Sequence, residues 1–371
     1  MTASKGLEGI IAAQSSISSI VGATLTYRGI NIDDLATHAD FEEVVYLLWY
    51  DKLPTLSELT EFKKELNNSA ELPDEVIKTI KEYPKDVNTM AALRTAISML
   101  AFFDPDVQDL SAEANQRKSK RILGQISTLI AAFYRIRDGL EPVKPDTSLG
   151  YAANFLYMLS GVKPDKISEE AFNKALVLHA DHEFNASTFA ARVTVATLTD
   201  MHSGMVSAIG TLKGPLHGGA NEQVMTMLEE IGSLDRIEPY LEEKFANKDK
   251  IMGIGHRVYK QGDPRAKHLK EMSRQLAELS GNRLWYEMSI KIDEIVTSRI
   301  GLLPNVDFYS ASVYTYLGIP MDLFTPIFAI SRASGWTAHM MEQYSNNRLI
   351  RPRAEYTGLT YQEYIPIADR V

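Results

Sequence analysis

From Phe41 onward the chain is written at a helical period. Val44, Val45, Leu47 and Leu48 make one apolar band, and Met90, Leu93, Ile97 and Leu100 make another. Side chains three and four residues apart share a face only on an α-helix. Strand-like and helix-like segments do not alternate, which argues against a parallel sheet. The fold class expected is mainly α. Residues 10–32 stand apart: Ser, Thr, Ile, Val and Gly with partial alternation predict short strands or a hairpin.

Helix boundaries are marked by local chemistry. Ser111 can cap a helix running through Ile136 and stopped by Gly139, and a segment over 147–160 ends at Gly161. Residues 186–212, mostly Ala, Thr, Val, Ser and Gly, read as one long helix, buried on most sides or packed against a copy of itself. Further helices are predicted up to Ile231 and over 235–245, 285–300 and 322–343. Between them, Asp263 reads as an N-cap, Pro264 as the first helical residue and Gly281 as the stop.

At 371 residues the chain exceeds the size of a single core, so two domains are expected. A formal charge of −9 argues against nucleic acid as a partner. No apolar run approaches the roughly 18 residues of a membrane span, and the N-terminal residues resemble neither a signal nor a transit peptide. A cytoplasmic location is expected. The sequence has no cysteine. Disulfides, thiolate metal ligands and an acyl-cysteine intermediate are thereby excluded.

Four stretches carry chemistry. Residues 213–222 read Lys-Gly-Pro-Leu-His-Gly-Gly-Ala-Asn-Glu, placing His217 among glycines at the mouth of a helix, as a ligand-facing group or as a solvent-facing loop residue. His179 and His182 lie three apart beside Asp181 and Glu183. That spacing fits a zinc helix poorly, so His179 reads as structural and His182 as the functional candidate. Residues 250–262 form a glycine loop presenting His256. Gly253 and Gly255 lack the third glycine of a dinucleotide fingerprint. Arg257, Lys260, Arg265, Lys267 and Lys270 follow as a solvated face or a patch for a small polyanion. Asp307, between Val306 and Phe308, is either a desolvated general base or the acid favoured in a helix's first turn. Arg332 lies in an apolar pattern and suits a buried carboxylate partner, whereas Arg348, Arg351 and Arg353 lie near the C-terminus.

In order and spacing, Gly-Pro-Leu-His-Gly-Gly-Ala-Asn-Glu, Gly-His-Arg-Val-Tyr-Lys with Asp-Pro-Arg-Ala, Asn-Val-Asp-Phe-Tyr-Ser and Arg-Pro-Arg resemble the citrate synthases. The resemblance covers Gly6 to Arg370. It implies a two-domain helical homodimer of the short type, without the extra N-terminal domain of the NADH-regulated hexamers. The large domain would comprise 1–219 with 319–371, the small domain 220–318, and the active site would lie between them. Asp307 would deprotonate acetyl-CoA, His217 would hold the enol oxygen, and His256 would protonate the oxaloacetate carbonyl. His182, Arg265 and Arg332 would hold oxaloacetate, Arg351 would reach the partner subunit's site, and Ser187 would support His217. Leu216, Ile251, Met252, Gly253, Lys260 and Asn305 match CoA-contacting positions. No metal or other cofactor is implied. One departure is the loop Glu183-Phe184-Asn185, a residue shorter than the common Glu-Gly-Gly-Asn. Propionyl-CoA, giving 2-methylcitrate, is the alternative substrate, since one methylene is worth only about 1–3 kcal/mol of discrimination. A citryl-CoA lyase and a non-enzymatic helical dimer are the remaining readings.

Overall fold

The computed structural model describes residues 5–7, 9–256 and 258–370, which leaves Arg257 of the basic patch outside the described residues. The alternating stretch near the N-terminus forms an antiparallel meander of β1 (Ser18–Val21), β2 (Thr24–Tyr27) and β3 (Ile30–Asn31). Ser18 pairs with Tyr27 and Val21 with Thr24. Leu25 and Tyr27 point inward and are buried while Thr24 is exposed, as the pleat requires. The Tyr27 hydroxyl donates to the Asp181 carbonyl at 3.0 Å, anchoring the sheet beside His182.

The rest is helical. In order come α1 (Ile32–His38), α2 (Phe41–Tyr50), α3 (Leu56–Asn68), α4 (Asp74–Lys81), α5 (Thr89–Leu100), α6 (Ala112–Arg137), α7 (Tyr151–Ser160) and α8 (Lys166–His179). Then follow α9 (Ala186–Val195), α10 (Met201–Leu212), α11 (Ala220–Ile231), α12 (Ile237–Asn247), α13 (Ala266–Ser280), α14 (Leu284–Ile300), α15 (Val306–Tyr316) and α16 (Phe324–Ser345). Ser111 caps α6 as expected, its hydroxyl accepting the Ala114 N–H at 3.3 Å.

Three boundaries differ from the sequence expectation. The stretch 186–212 is two helices, not one. Leu198 turns left-handed at φ 64°, and Asp200 starts α10 by accepting the Ser203 N–H at 2.9 Å. An aspartate that can satisfy free N–H groups competes with helix continuation at that point. The segment over 147–160 becomes helical only at Tyr151, whose N–H is taken by the buried Glu42 side chain at 2.9 Å. Helix α13 begins at Ala266 rather than at Pro264. Asp263 Oδ1 accepts the Arg265 N–H at 3.1 Å ahead of it, and the same carboxylate also holds the Arg265 guanidinium and the Val306 N–H.

Helix α16 is the central post. Phe324, Ile327, Ile330, Ala333, Trp336 and Met340 are all fully buried, and α16 packs against α2, α6, α8, α9 and α10. A helix apolar on nearly every side belongs inside a core. A second group forms where α15 packs against α11, α13 and α14. Helix α8 touches α13, α15 and α16, so it joins the two groups. Among the described residues no helix is long and apolar enough to cross a membrane.

Candidate active site

Where the two groups meet lies a cleft of about 1060 Å³ lined by His182, His217, His256, Arg265, Asp307 and Arg332. Each arrives there for a local reason. His217 sits in the turn after α10, its N–H bonded to the Gly214 carbonyl at 2.9 Å, and α11 begins three residues later. Gly219, the residue before α11, has φ 83°, a conformation that costs a larger residue about 1–2 kcal/mol. The loop carrying His256 is clamped to the segment before α15. Gly255 N–H donates to Leu303 O at 2.8 Å, Asn305 N–H to Gly253 O at 2.9 Å, and Asn305 Nδ2 to Gly255 O at 2.8 Å. Only glycine fits at 253: φ is 74°, and a Cβ would lie 2.7 Å from Val224 Cγ2 and 2.9 Å from Phe308 Cα.

Hydrogen bonds decide where the imidazole protons sit. His217 Nε2 accepts the Ser187 N–H at 3.2 Å and lies 2.8 Å from Ser187 Oγ. A backbone N–H can only donate, so the proton is on His217 Nδ1. His256 Nδ1 accepts the N–H groups of Val258 at 3.0 Å and Tyr259 at 3.1 Å, which leaves the proton on Nε2. Burial, then the nearby Arg332, lowers His217 to about 4. Burial and Arg265 likewise lower His256, and burial with Arg265 and Arg332 carries His182 well below its ordinary value. All three rings are therefore neutral donors or acceptors near neutral pH.

Asp307 is the second residue of α15, with its N–H capped by Asn305 Oδ1 at 3.0 Å. It lies in a helix's first turn, and it also lines the cleft. Some of its surface opens into the cleft, but protein surrounds the carboxyl, and burial raises it from 3.8 to about 6. Arg265 and Arg332 are 3% and 2% exposed. Arg332 Nε donates to His179 O at 2.8 Å, and its guanidinium lies 4.7 Å from the centre of the Phe328 ring. Arg265 is held by Asp263 through Nε at 2.9 Å and Nη2 at 2.8 Å. Among the described residues the Arg265 Nη1 and both terminal nitrogens of Arg332 have no hydrogen-bond acceptor. Two buried guanidiniums with spare donors in one cleft, one of them already paired with Asp263, have the chemistry to hold a small carboxylate ligand.

A family model described as citrate synthase, C-terminal domain, matches residues 6–353. The chain belongs to the citrate synthase family. Citrate synthase 2 of Bacillus subtilis is 60% identical over 371 residues, with 100% of each chain covered. The citrate/2-methylcitrate synthase of the same organism is 42% identical over 362 residues, covering 97% of each. The ternary complex of carboxymethyl coenzyme A and oxaloacetate with citrate synthase from Thermoplasma acidophilum superposes with a TM-score of 0.93, at 35% identity and 100% coverage of both chains. By that membership the chain is an acyltransferase.

Not every residue singled out in sequence reaches the cleft. Leu216 stands fully exposed at its rim and Asn305 is in its wall. Ser187 is buried behind His217. Ile251, Met252, Gly253 and Lys260 lie off the wall: Ile251 and Gly253 are buried, Met252 is half-buried and Lys260 is exposed. Arg351 is exposed and lies outside the cleft wall, in an adjoining cavity of about 1120 Å³ that shares residues of the N-terminal segment with the cleft. His179 is buried with Nδ1 2.7 Å from Ala175 O, as its structural reading requires. The short loop after His182 turns through Glu183 at φ 51°. Sequence reasoning missed Asp263, whose Oδ2 also accepts the Val306 N–H at 3.0 Å and so ties Arg265 to the helix of Asp307. It missed Trp336 too, whose indole N–H donates to Ser187 Oγ at 3.1 Å. Asp263 sits inside the Asp-Pro-Arg-Ala motif, but its partner Val306 is 43 residues away, and Trp336 is 149 residues from Ser187.

Proposed function

We propose that this chain condenses acetyl-CoA with oxaloacetate and water to citrate and CoA. The observation that carries the reading is one cleft holding a carboxylate raised to about 6, two neutral imidazoles with fixed protons and two buried guanidiniums. The ternary complex of the Thermoplasma relative, with a CoA analogue and oxaloacetate, supports the same pair of ligands.

Asp307 takes a methyl proton from the thioester, and the electron pair moves onto the carbonyl oxygen. The His217 Nδ1–H stabilises the resulting enol. A thioester α-carbon is too weak an acid to be deprotonated unless base and oxygen donor act together. The enol carbon attacks the oxaloacetate carbonyl as the thioester carbonyl re-forms, and the His256 Nε2–H is given to the oxygen that becomes the citryl hydroxyl. The proton that Asp307 took from the methyl group replaces it by way of water, which returns both side chains to their starting states. Water then hydrolyses citryl-CoA and releases CoA. Arg265, Arg332 and His182 hold the oxaloacetate carboxylates, and Ser187 holds His217 in its tautomer. The sequence of steps calls for no metal.

In the same reading the protein is a cytoplasmic homodimer. Its large domain is 1–219 with 319–371, its small domain is 220–318, and closure between them excludes water until the carbon–carbon bond has formed. Arg351 serves the partner's cleft; it is exposed and does not line the cleft of its own chain. Leu216, Ile251, Met252, Gly253, Lys260 and Asn305 contact CoA. The test is thiol release with oxaloacetate and either acetyl-CoA or propionyl-CoA. A higher kcat/KM for acetyl-CoA is expected, and a higher value for propionyl-CoA would make the chain a 2-methylcitrate synthase.

A further inference from the structure

Tyr259 has no role in the mechanism above, yet it touches two of its histidines. It is 3% exposed. Its hydroxyl lies 3.0 Å from His182 Nε2. Its ring lies on His256 with centroids 4.6 Å apart and planes tilted by 33°, and it meets the His182 ring edge-on at 5.5 Å. The two imidazoles themselves are 5.5 Å apart. Tyr259 is thus the third ring of a triangle whose other corners come from the loop after α8 and the loop before α13.

The direction of the hydroxyl bond follows from donor accounting. Among the described residues the Tyr259 hydroxyl has His182 as its one hydrogen-bond partner. Were His182 Nε2 the donor, the phenolic proton would be buried without an acceptor, which costs more than leaving a lone pair unused. The phenol therefore donates, Nε2 accepts, and the His182 proton sits on Nδ1. Burial raises the Tyr259 hydroxyl above its ordinary value, so it keeps the proton it donates.

We propose that Tyr259 is a positioning residue. It fixes His182 as the Nδ1–H tautomer through its hydroxyl and sets the plane of His256 through its ring, so one side chain aligns the groups that meet oxaloacetate from both sides of the cleft. This rests on the functional reading above for the identity of the ligand, but not for the tautomer.

Two measurements test it. Nitrogen-15 NMR of histidine-labelled protein should show His182 protonated at Nδ1, and Tyr259→Phe should shift the Nε2 resonance. In steady-state kinetics Tyr259→Phe should raise KM for oxaloacetate by about 3- to 10-fold, the worth of one hydrogen bond, with a smaller change in kcat and none in KM for the acyl-CoA. Tyr259→Leu, which also removes the ring from His256, should lower kcat further. A proton on His182 Nε2 in the unaltered protein, or an unchanged oxaloacetate KM in Tyr259→Phe, would overturn the proposal. Failure of the unaltered protein to release thiol would instead overturn the functional reading, while leaving the NMR result to decide the tautomer.

Discussion

Replacing Asp307 with Asn should make the fold more stable and the enzyme nearly inert, and the gain in stability should depend on pH. Burial lifts the Asp307 carboxyl from 3.8 to about 6. Between those values the folded chain retains a proton that the unfolded chain has lost, so this residue's contribution falls as pH rises through that window. Above it the whole penalty is in force: the interval corresponds to about 3 kcal/mol at about 1.4 kcal/mol per tenfold change. Water in the cleft screens part of this, so a neutral Asn of the same shape should recover about 1–3 kcal/mol at neutral pH. For a chain of this length that is about 1–4 °C in Tm. Below about pH 4 both proteins carry a neutral side chain and the difference should close. Calorimetry of the two proteins across this range gives the stability curve, and thiol release gives the activity, expected to drop about 10²- to 10⁴-fold. A Tm difference that does not vary with pH would refute a desolvated carboxylate. Undiminished turnover would refute its role as base.

Two further expectations follow from the same geometry. Asp307 must be ionised to accept a proton, whereas His217, lowered to about 4, and His256, also lowered, are already neutral. kcat/KM for the acyl-CoA should therefore fall about tenfold per pH unit below about 6 and be level above it; a profile still flat at pH about 5 would contradict the assignment. Gly253→Ala, with its Cβ 2.7 Å from Val224 Cγ2 at a φ of 74°, should cost about 1–3 kcal/mol and lower kcat by displacing the His256 loop. Thermal unfolding with the same thiol assay checks both effects, and an unaltered Tm would show that the loop can move at no cost.

Much of the fold was legible because helices are local. Apolar spacing announced α2 and α5, and α6 was announced by its Ser111 cap, visible because the group it satisfies, the Ala114 N–H, is three residues away. The site was legible in part for the same reason. Glycines around His217 and before His256 signal a backbone that leaves the ordinary helical region, and they do so at Gly219 and Gly253. Where two local signals competed, sequence was a poor judge. The small-residue run over 186–212 has a continuous helical composition, but the Asp200 side chain and the left-handed Leu198 divide it.

By itself the sequence determined that this chain is mainly helical, that its acidic surface suits no polyanionic polymer, and which histidines and carboxylate stand in loops or helix starts. Only the tertiary structure decided what each of those groups is chemically. The proton on His217 is set by Ser187, 30 residues away, which is held in turn by Trp336, 149 residues beyond it. Asp263 reads as a cap and does take the Arg265 N–H, but its carboxylate also holds the Arg265 guanidinium and, 43 residues on, the N–H of Val306. The basicity of Asp307 comes from burial among helices that are distant along the chain. Spacing along the chain specifies backbone conformation, whereas desolvation and hydrogen-bond polarity depend on which distant atoms displace water, and these exist only once the helices have packed.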